Sequence, residues 1–451
     1  MITRLKISGF KSLLDVDLRL GPLTCIVGEN AVGKSNLFDA IRFLHLLATR
    51  SIPDAVAHIR ESRGKAVKPG DLFTTFGASR AADEVKLSAE MVVKPQVTDE
   101  FGATGLASIT SLRYDVAFAL DPAEDRLVLR EEWLRPITLG DARKRMGPWA
   151  KAPFLADVLK GARRGGDLIS TDADGAILLH QDGHGGRKVP AAKSSRTILS
   201  SVNADFPTAL AALREMESWR TLQLEPSAMR APSLYSDPKH IDERGAYLAS
   251  TLHRLARIRG PQVLSEIASR VARLVPDVRE LAIEDDPRLE TFTAQVQGSD
   301  GALRAARALS DGTLRFLVLA TLAADPEATG TLCVEEPENG IHPERVSDMV
   351  ELLYDLAVDA SGRVNDENPL RQVLVNTHSP LVFRRVNVED VVFLEFVDAI
   401  EGGARARGAA IRVPEKSWRA TSEEPRHLVV QPARTYAWEQ MSFRYHAADG
   451  T

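Results

Sequence analysis

Gly28-Glu29-Asn30-Ala31-Val32-Gly33-Lys34-Ser35 fits the pattern G-x-x-x-x-G-K-[S/T], and its reading decides the fold. The glycines let backbone amides wrap a phosphate chain. The lysine offers a cation to the β/γ-phosphates, and the serine hydroxyl is a ligand for Mg2+. The flanks have the form this requires. Leu23-Thr24-Cys25-Ile26-Val27 is an unbroken apolar run, as in a strand buried on both faces. Residues 36–48 follow with Leu37, Ile41, Leu44 and Leu47 at helical spacing, so a helix N-terminus and its dipole face the loop. The alternative is a harmless Gly-rich turn. Average residue frequencies give a chance match in a chain of this length odds of roughly 1–2 %.

Outward from this segment the pattern changes several times. Leu5 and Ile7, then Val16, Leu18 and Leu20, alternate as half-buried strands. Between residues 50 and 200, β-like runs at 85–93, 109–120 and 126–133 are separated by turn-rich segments, with glycines from Gly161 to Gly186. An inserted antiparallel β lobe is expected there. It carries a basic stretch of Arg143, Lys144, Arg145, Lys151, Lys160, Arg163 and Arg164, opposed only by Asp157. Such a run reads as a solvated face or as a local nucleic-acid contact. Residues 205–275 turn helical. Gly260-Pro261 opens a stripe of Val263, Leu264, Ile267, Val271 and Leu274 that stops before Pro276. Two β runs, 278–284 and 289–296, come next. From Leu309 the α/β alternation returns, with a helix at 310–323, a strand at 331–335, a helix from Pro343, and strands at 372–376 and 391–394.

The expected fold is therefore α/β, with a phosphate-loop core split in sequence. Residues 1–50 form its N-terminal part and 301–395 its C-terminal part. Between them lie the β-rich lobe (51–204) and a helical/β subdomain (205–300), and 396–451 form an extension. At about 150 residues per domain, 451 residues exceed a single module. The 57 Lys+Arg against 62 Asp+Glu leave a net charge of −5, which excludes a globally basic binder and leaves only a local basic groove. Aromatics at 6 % suggest no base-stacking platform. Cys25 and Cys333, the only cysteines, exclude a disulfide scaffold and a cysteine-ligated zinc site. Their bland reading is small buried core residues in a reducing compartment. With no signal or membrane-spanning stretch read from the sequence, a soluble, cytoplasmic protein is expected.

Three further motifs carry chemistry. Leu332-Cys333-Val334-Glu335-Glu336-Pro337 is an apolar run ending in acids. Glu335 suits Mg2+, directly or through water, and Glu336 suits polarising an attacking water. Taken alone, the run also reads as a strand entering a solvated Glu pair. Leu309-Ser310-Asp311-Gly312-Thr313-Leu314-Arg315 offers Ser310 as an N-cap and Gly312 as a point of close anion approach; an ordinary capped helix reads the same way. Asn376-Thr377-His378-Ser379-Pro380 follows an apolar strand, which makes His378 a candidate γ-phosphate sensor, although a lone histidine is more often structural.

In this order, the phosphate loop, LS-x-G-T, EEPE-x-x-x-HP and THSP resemble the ABC-type ATPases of the SMC/RecF/OLD class. The opening Ile7-Ser8-Gly9-Phe10-Lys11-Ser12 also looks like that class. Trp219-Arg220, Leu224-Glu225-Pro226 and Met229-Arg230-Ala231-Pro232 are similar to bacterial RecF-like ATPases of the AAA_21 group. The resemblance implies an ATPase head that pairs with a second copy around two ATP molecules. It implies ATP contacts from Gly28, Glu29, Asn30, Ala31, Val32, Gly33, Lys34, Ser35 and Asn36, and Mg2+ contacts from Ser35 and Glu335. Glu336 would be the general base and His378 the switch histidine. Ser310 and Gly312, with Asp311 between them, would act in trans on the γ-phosphate. The implied function is ATP hydrolysis whose head dimerisation gates a nucleic-acid-directed process, in anti-phage defence or DNA repair. A separate nuclease or toxin would be the effector, and DNA is admitted as a partner. The alternative is a nucleotide-switched scaffold that holds such an effector with little turnover.

Some departures from that class carry information. Glu335 stands where Asp is usual, and Asp311 where transporters carry Gly. Pro337-Glu338-Asn339-Gly340-Ile341-His342 replaces the transporter-type loop, which argues against a transporter subunit. No Q-loop glutamine is identified; residues 198–203 are where it is expected. Absent heptads argue against an SMC arm, and no acidic cluster after Pro380 suggests a fused nuclease.

Overall fold

Every residue of the strand Leu23–Gly28 is buried, and the chain leaves it through the phosphate loop into the helix Lys34–Thr49. The computed structural model describes residues 1–59, 67–77, 80–161, 166–181, 184–191, 194–401, 404–420 and 428–430. They fall into two compact units. The first holds Met1–Trp219, Asp359–Val364 and the described residues from Asn387 on; the second holds Arg220–Val358 and Asn365–Val386.

In the first unit the strands lie in the order His184–Pro190, Ala176–Gln181, Ile169–Thr171, Arg126–Pro136, Ser111–Asp121, Glu84–Val92, Ile2–Phe10, Leu13–Arg19, Ala404–Pro414, Val391–Glu401, Leu23–Gly28. The pairing is antiparallel except at two joints. Leu13 pairs in parallel with Ala409, and Cys25 to Gly28 pair in parallel with Val391 to Leu394. The phosphate-loop strand is thus flanked by a segment more than 360 residues away in sequence, so the core is split as expected. The β runs of the 51–204 stretch extend the N-terminal sheet itself, with Leu87 opposite Ile7 and Ala89 opposite Leu5. The helix Lys34–Thr49 buries Leu37, Phe38, Ile41, Leu44 and Leu47. Its Phe43 stacks on Phe10 and meets Phe118, which joins helix and sheet through three aromatic rings. Each such buried side chain is worth about 1.5–3 kcal/mol.

The second unit is built on the parallel strands Arg220–Leu222, Gly330–Glu335 and Arg371–Thr377, which are almost wholly buried. A small antiparallel sheet pairs Thr291–Gly298 with Val278–Asp286, Ser233–Leu234 and Leu303–Ala305. Arg371 is fully buried and donates to the carbonyls of Ala328, Leu356 and Asp325, tying the strand start to the chain ends beside it. The expected helix from Pro343 begins as a 3-10 turn, Pro343–Arg345, before the α-helix Val346–Leu356. The expected strand at 391–394 runs on to Glu401, because residues beyond Leu394 pair with Ala404–Pro414. The described residues form an α/β protein in which a buried strand runs through the phosphate loop into a helix, as the expected fold class requires.

Candidate functional site

In the first unit, close contacts fix the phosphate loop. Gly33 has φ +109°, and a Cβ there would lie 2.4 Å from Ser12 Oγ. At Gly28 a Cβ would lie 2.7 Å from the Leu394 carbonyl oxygen. Glu29, Asn30 and Ala31 are exposed, whereas Val32 is buried and anchors the loop. The Lys34 ammonium is buried and donates to the carbonyls of Gly28 (2.6 Å) and Glu29 (2.8 Å). It therefore sits inside the curl of the loop, where a phosphate oxygen would compete for its protons. The helix carries no acid in its first turn, so nothing on the helix opposes an anion at its positive end. Half-buried Ser35 occupies that turn.

The turn Lys11–Ser12 closes onto this helix. Asn36 Nδ2 donates to Ser12 Oγ (2.8 Å), and Lys11 Nζ donates to the buried Asp39 carboxylate (2.7 Å). The sequence carries this turn within the resemblance to the SMC/RecF/OLD class, but no role for Lys11, Ser12 or Asp39 is legible there. The lysine and the aspartate are 28 residues apart, and local spacing gives no sign of the pair.

The second unit brings the acidic strand end and the histidine together. Glu335 closes the strand Gly330–Glu335, half-buried and opposite Asn376 in register. Glu336 then turns out at φ +42°, a left-handed conformation costly for a non-glycine residue. Its N–H donates to the Asn376 carbonyl (3.1 Å) and to Asn376 Oδ1 (3.0 Å), which hold the turn. Its carboxylate accepts from Asn339 Nδ2 (2.7 Å) and meets His378 Nδ1 at 3.1 Å. Both side chains remain more than a third open to solvent, so water reaches the carboxylate. Asn339 and Asn376 lie within motifs that sequence reading quoted, but neither was assigned a role.

The LS-x-G-T segment begins the helix Asp311–Ala324. Ser310 is its N-cap and accepts from the Thr313 N–H (3.2 Å), as expected. Asp311 is ion-paired with Arg230, whose guanidinium also donates to the Leu309 carbonyl (3.1 Å). Gly312 faces the loop after the acids, for a Cβ there would lie 3.3 Å from the Gly340 carbonyl oxygen. The first unit therefore carries Gly28 through Asn36, and the second carries Ser310, Asp311, Gly312, Glu335, Glu336 and His378.

Other sequence readings resolve differently. Residues 198–203 hold no glutamine, and the Ile198 and Leu199 amides donate to the buried Glu132 carboxylate (2.7 and 2.9 Å). Within the basic stretch Arg145 is paired with Glu90 (2.6 Å), while Arg143, Lys144, Lys151 and Lys160 are exposed. Arg163 and Arg164 lie outside the described residues. Asp157 accepts from the Val364 N–H. Cys25 and Cys333 are buried, and burial pushes the Cys333 thiol pKa well up, which fits core packing. Among the described residues no helix is long and apolar enough to cross a membrane, and no group of three or more His, Cys, Asp or Glu could hold a metal. Mg2+ needs no such cage, since it takes one or two protein groups beside phosphates.

Residues 169–384 match the AAA_21 family, described as an AAA domain, putative AbiEii toxin, Type IV TA system, and residues 4–55 match the AAA_23 AAA domain. An OLD nuclease of Thermus scotoductus is 51 % identical over 41 residues, 9 % of this chain and 8 % of that protein. The DNA replication and repair protein RecF of Porphyromonas gingivalis is 43 % identical over 56 residues, 12 % and 15 % of the two chains. The chain thus spans only a small part of the curated relatives it matches. Among solved structures, an Smc head bound to the C-winged helix domain of ScpA aligns with a TM-score of 0.47 at 14 % identity, covering 90 % of this chain and 97 % of that one. An Smc head with an extended coiled coil, bound to the C-terminal domain of ScpA from Pyrococcus furiosus, aligns at 0.46 and 13 %, covering 90 % and 96 %. The two family matches and the short relatives lie in the same SMC/RecF/OLD-like ATPase class that the motif order resembles.

Proposed function

We propose that the protein binds and hydrolyses ATP, and that pairing of two copies on ATP gates a nucleic-acid-directed process with a separate effector. The observation that carries hydrolysis is the Glu336 carboxylate, held by Asn339 and His378 at a strained, solvent-reachable strand end. Lys34 exchanges its two loop carbonyls for phosphate oxygens, and the helix N-terminus adds amide donors. Glu336 takes the proton of the attacking water, and His378 fixes the carboxylate orientation. Motif order, rather than a measured distance, assigns Ser35 and Glu335 to Mg2+, which would neutralise phosphate charge.

Ser310, Asp311 and Gly312 would present a capped helix start to the nucleotide of a second copy. The Arg230 ion pair offsets the Asp311 charge that would otherwise repel a phosphate. The short matches to an OLD nuclease and to RecF support a nucleic-acid-directed role. Glu336→Gln keeps the acceptor for Asn339 but removes the base, so turnover should fall about 10²–10⁴-fold while ATP-bound dimers accumulate. Lys34→Ala should lose both binding and dimers. Mass measurement with and without ATP, beside phosphate release, reads these outcomes. Unchanged turnover in Glu336→Gln would remove the assignment of the base. Effector action that needs Lys34 but survives Glu336→Gln would favour the scaffold.

A further inference from the structure

Glu338 lies two residues beyond Glu336 in a loop whose next residues are exposed, yet its own side chain turns inward. Oε1 accepts from the Thr377 hydroxyl. The same hydroxyl oxygen accepts from the Ser379 N–H (2.9 Å). Those two bonds brace the backbone on both sides of His378, whose Nδ1 is the group 3.1 Å from Glu336 Oε1. Oε2 of Glu338 is buried without a hydrogen-bond partner. Burial pushes this carboxyl above the usual range, so the position is costly to keep acidic. A residue placed only to fill space would not be a carboxyl here, since an apolar side chain of similar shape avoids that cost.

A second observation comes from the helix Asp311–Ala324. Arg315 Nε is also buried without a hydrogen-bond partner, and its guanidinium feels the Glu338 charge. The start of that helix meets the Glu338 loop at Gly312 and Gly340. The carboxyl is thus bonded to the histidine's own strand end and lies in the field of the cation on the helix proposed to meet a second copy's nucleotide.

We propose that Glu338 is a positioning residue for hydrolysis, which holds His378 on Glu336 through the Thr377 hydroxyl. The proposal rests on the reading of Glu336 as the base. Misplacing His378 should lower turnover without touching the phosphate loop. Glu338→Ala is expected to reduce kcat about tenfold or more, with nucleotide affinity unchanged. Glu338→Gln keeps an oxygen for the Thr377 hydroxyl and should recover most of that loss. Thr377→Val should reproduce the loss. The combined Glu338→Ala, Thr377→Val chain should be no slower than Thr377→Val alone, because Glu338 acts through the hydroxyl that this variant has already removed.

The experiment is steady-state phosphate release on the full chain, with binding of a fluorescent ATP analogue and thermal unfolding measured on the same preparations. A wild-type kcat in Glu338→Ala overturns the proposal, as do losses that multiply in the double variant. Parallel loss of kcat, nucleotide affinity and thermal stability, unrelieved in Glu338→Gln, overturns it in favour of a structural role. Glu336→Gln in the same assay separates the two levels. If Glu336→Gln is inactive and Glu338→Ala is not impaired, the proposal alone falls. If Glu336→Gln turns over normally, the reading of the site falls and takes the proposal with it.

Discussion

Replacing Glu132 by glutamine should remove a large part of the pH dependence of folding. Glu132 is fully buried on the strand Arg126–Pro136. Its carboxyl accepts from the Ile198 and Leu199 amides and from the Tyr114 hydroxyl (3.1 Å). Burial outweighs these three donors and pushes its pKa from the ordinary 4.5 up to about 7. Tyr114, itself pushed well up by burial and by Glu132, stays protonated and donating. The folded state therefore holds the proton more tightly than the unfolded chain. The stabilisation is full below about pH 4.5 and is lost as pH rises through 7, about 3 kcal/mol in all. Most of this falls between pH 5 and pH 8. Glutamine cannot ionise, and its amide nitrogen would meet a backbone N–H, so the variant pays a constant cost of about 1–3 kcal/mol at every pH. The difference in unfolding free energy between the two chains should therefore shift by about 2–3 kcal/mol in favour of the variant from pH 5 to pH 8. Urea unfolding followed by circular dichroism reads this. A difference that stays constant across that range would overturn this account, and would mean that the three donors keep Glu132 ionised. The consequence reaches the candidate site, because Thr197, beside the anchored amides, donates to the Leu47 carbonyl of the phosphate-loop helix (3.2 Å).

Gly33→Ala places a methyl group on Ser12 Oγ and a side chain at φ +109°, at a conformational cost of about 1–2 kcal/mol before any clash. Nucleotide affinity should fall about tenfold or more with the fold retained, and adding Ser12→Gly should recover only the part due to the clash; fluorescent-nucleotide titration of both chains measures this. Reversing the exposed Arg143 and Lys144 to glutamate tests the basic stretch. If that face meets DNA, the slope of log affinity against log salt should drop by about 2. An unaltered salt dependence would leave the stretch as a solvated helix end.

What the sequence made legible was local chemistry. The phosphate loop, the Ser310 cap and the acidic strand end are each written within eight or so consecutive residues, where backbone geometry and residue type constrain each other directly. The same holds for His378, which follows a buried strand by one residue. Pairings across the chain were not legible. Lys11 with Asp39, Glu132 with the 198–199 amides, and Val391–Glu401 beside Leu23–Gly28 all join residues whose spacing in sequence carries no period. The strand from Val391 shows a related limit. Its first four residues form an apolar run and were read as a strand. The rest carries an acid at every third position, Glu395, Asp398 and Glu401, which fits no strand period, and is held by pairing with Ala404–Pro414 rather than by burial on both faces. At Pro343 the proline set the start of a helical turn, but His342 Nδ1 caps a 3-10 turn first, and the α-helix waits until Val346.

Backbone strain sharpens the functional reading beyond what residue types allow. Among the described residues, the non-glycine positions with positive φ are Lys11, Ala31, Asp125, Tyr247, Glu290 and Glu336. Asp125 and Glu290 sit in turns between paired strands, where such a conformation closes the hairpin. Tyr247 opens the helix Leu248–Arg259. The other three lie where the motifs lie: Lys11 in the turn braced on Asp39, Ala31 in the phosphate loop, and Glu336 at the acidic strand end. Left-handed conformations in residues with side chains cost of order 1–3 kcal/mol and persist only where surrounding bonds hold them. At Glu336 those bonds are visible: its amide donates to two oxygens of Asn376, and its carboxylate accepts from Asn339. A strand end that served only packing would relax into extended backbone and leave the Asn376 side chain free for water. The strand instead stops at Glu335, and the left-handed turn at the next residue brings the Glu336 carboxylate to His378. The local strain is thus what turns a Glu-Glu pair into one acid retained at the strand end and one aimed at His378.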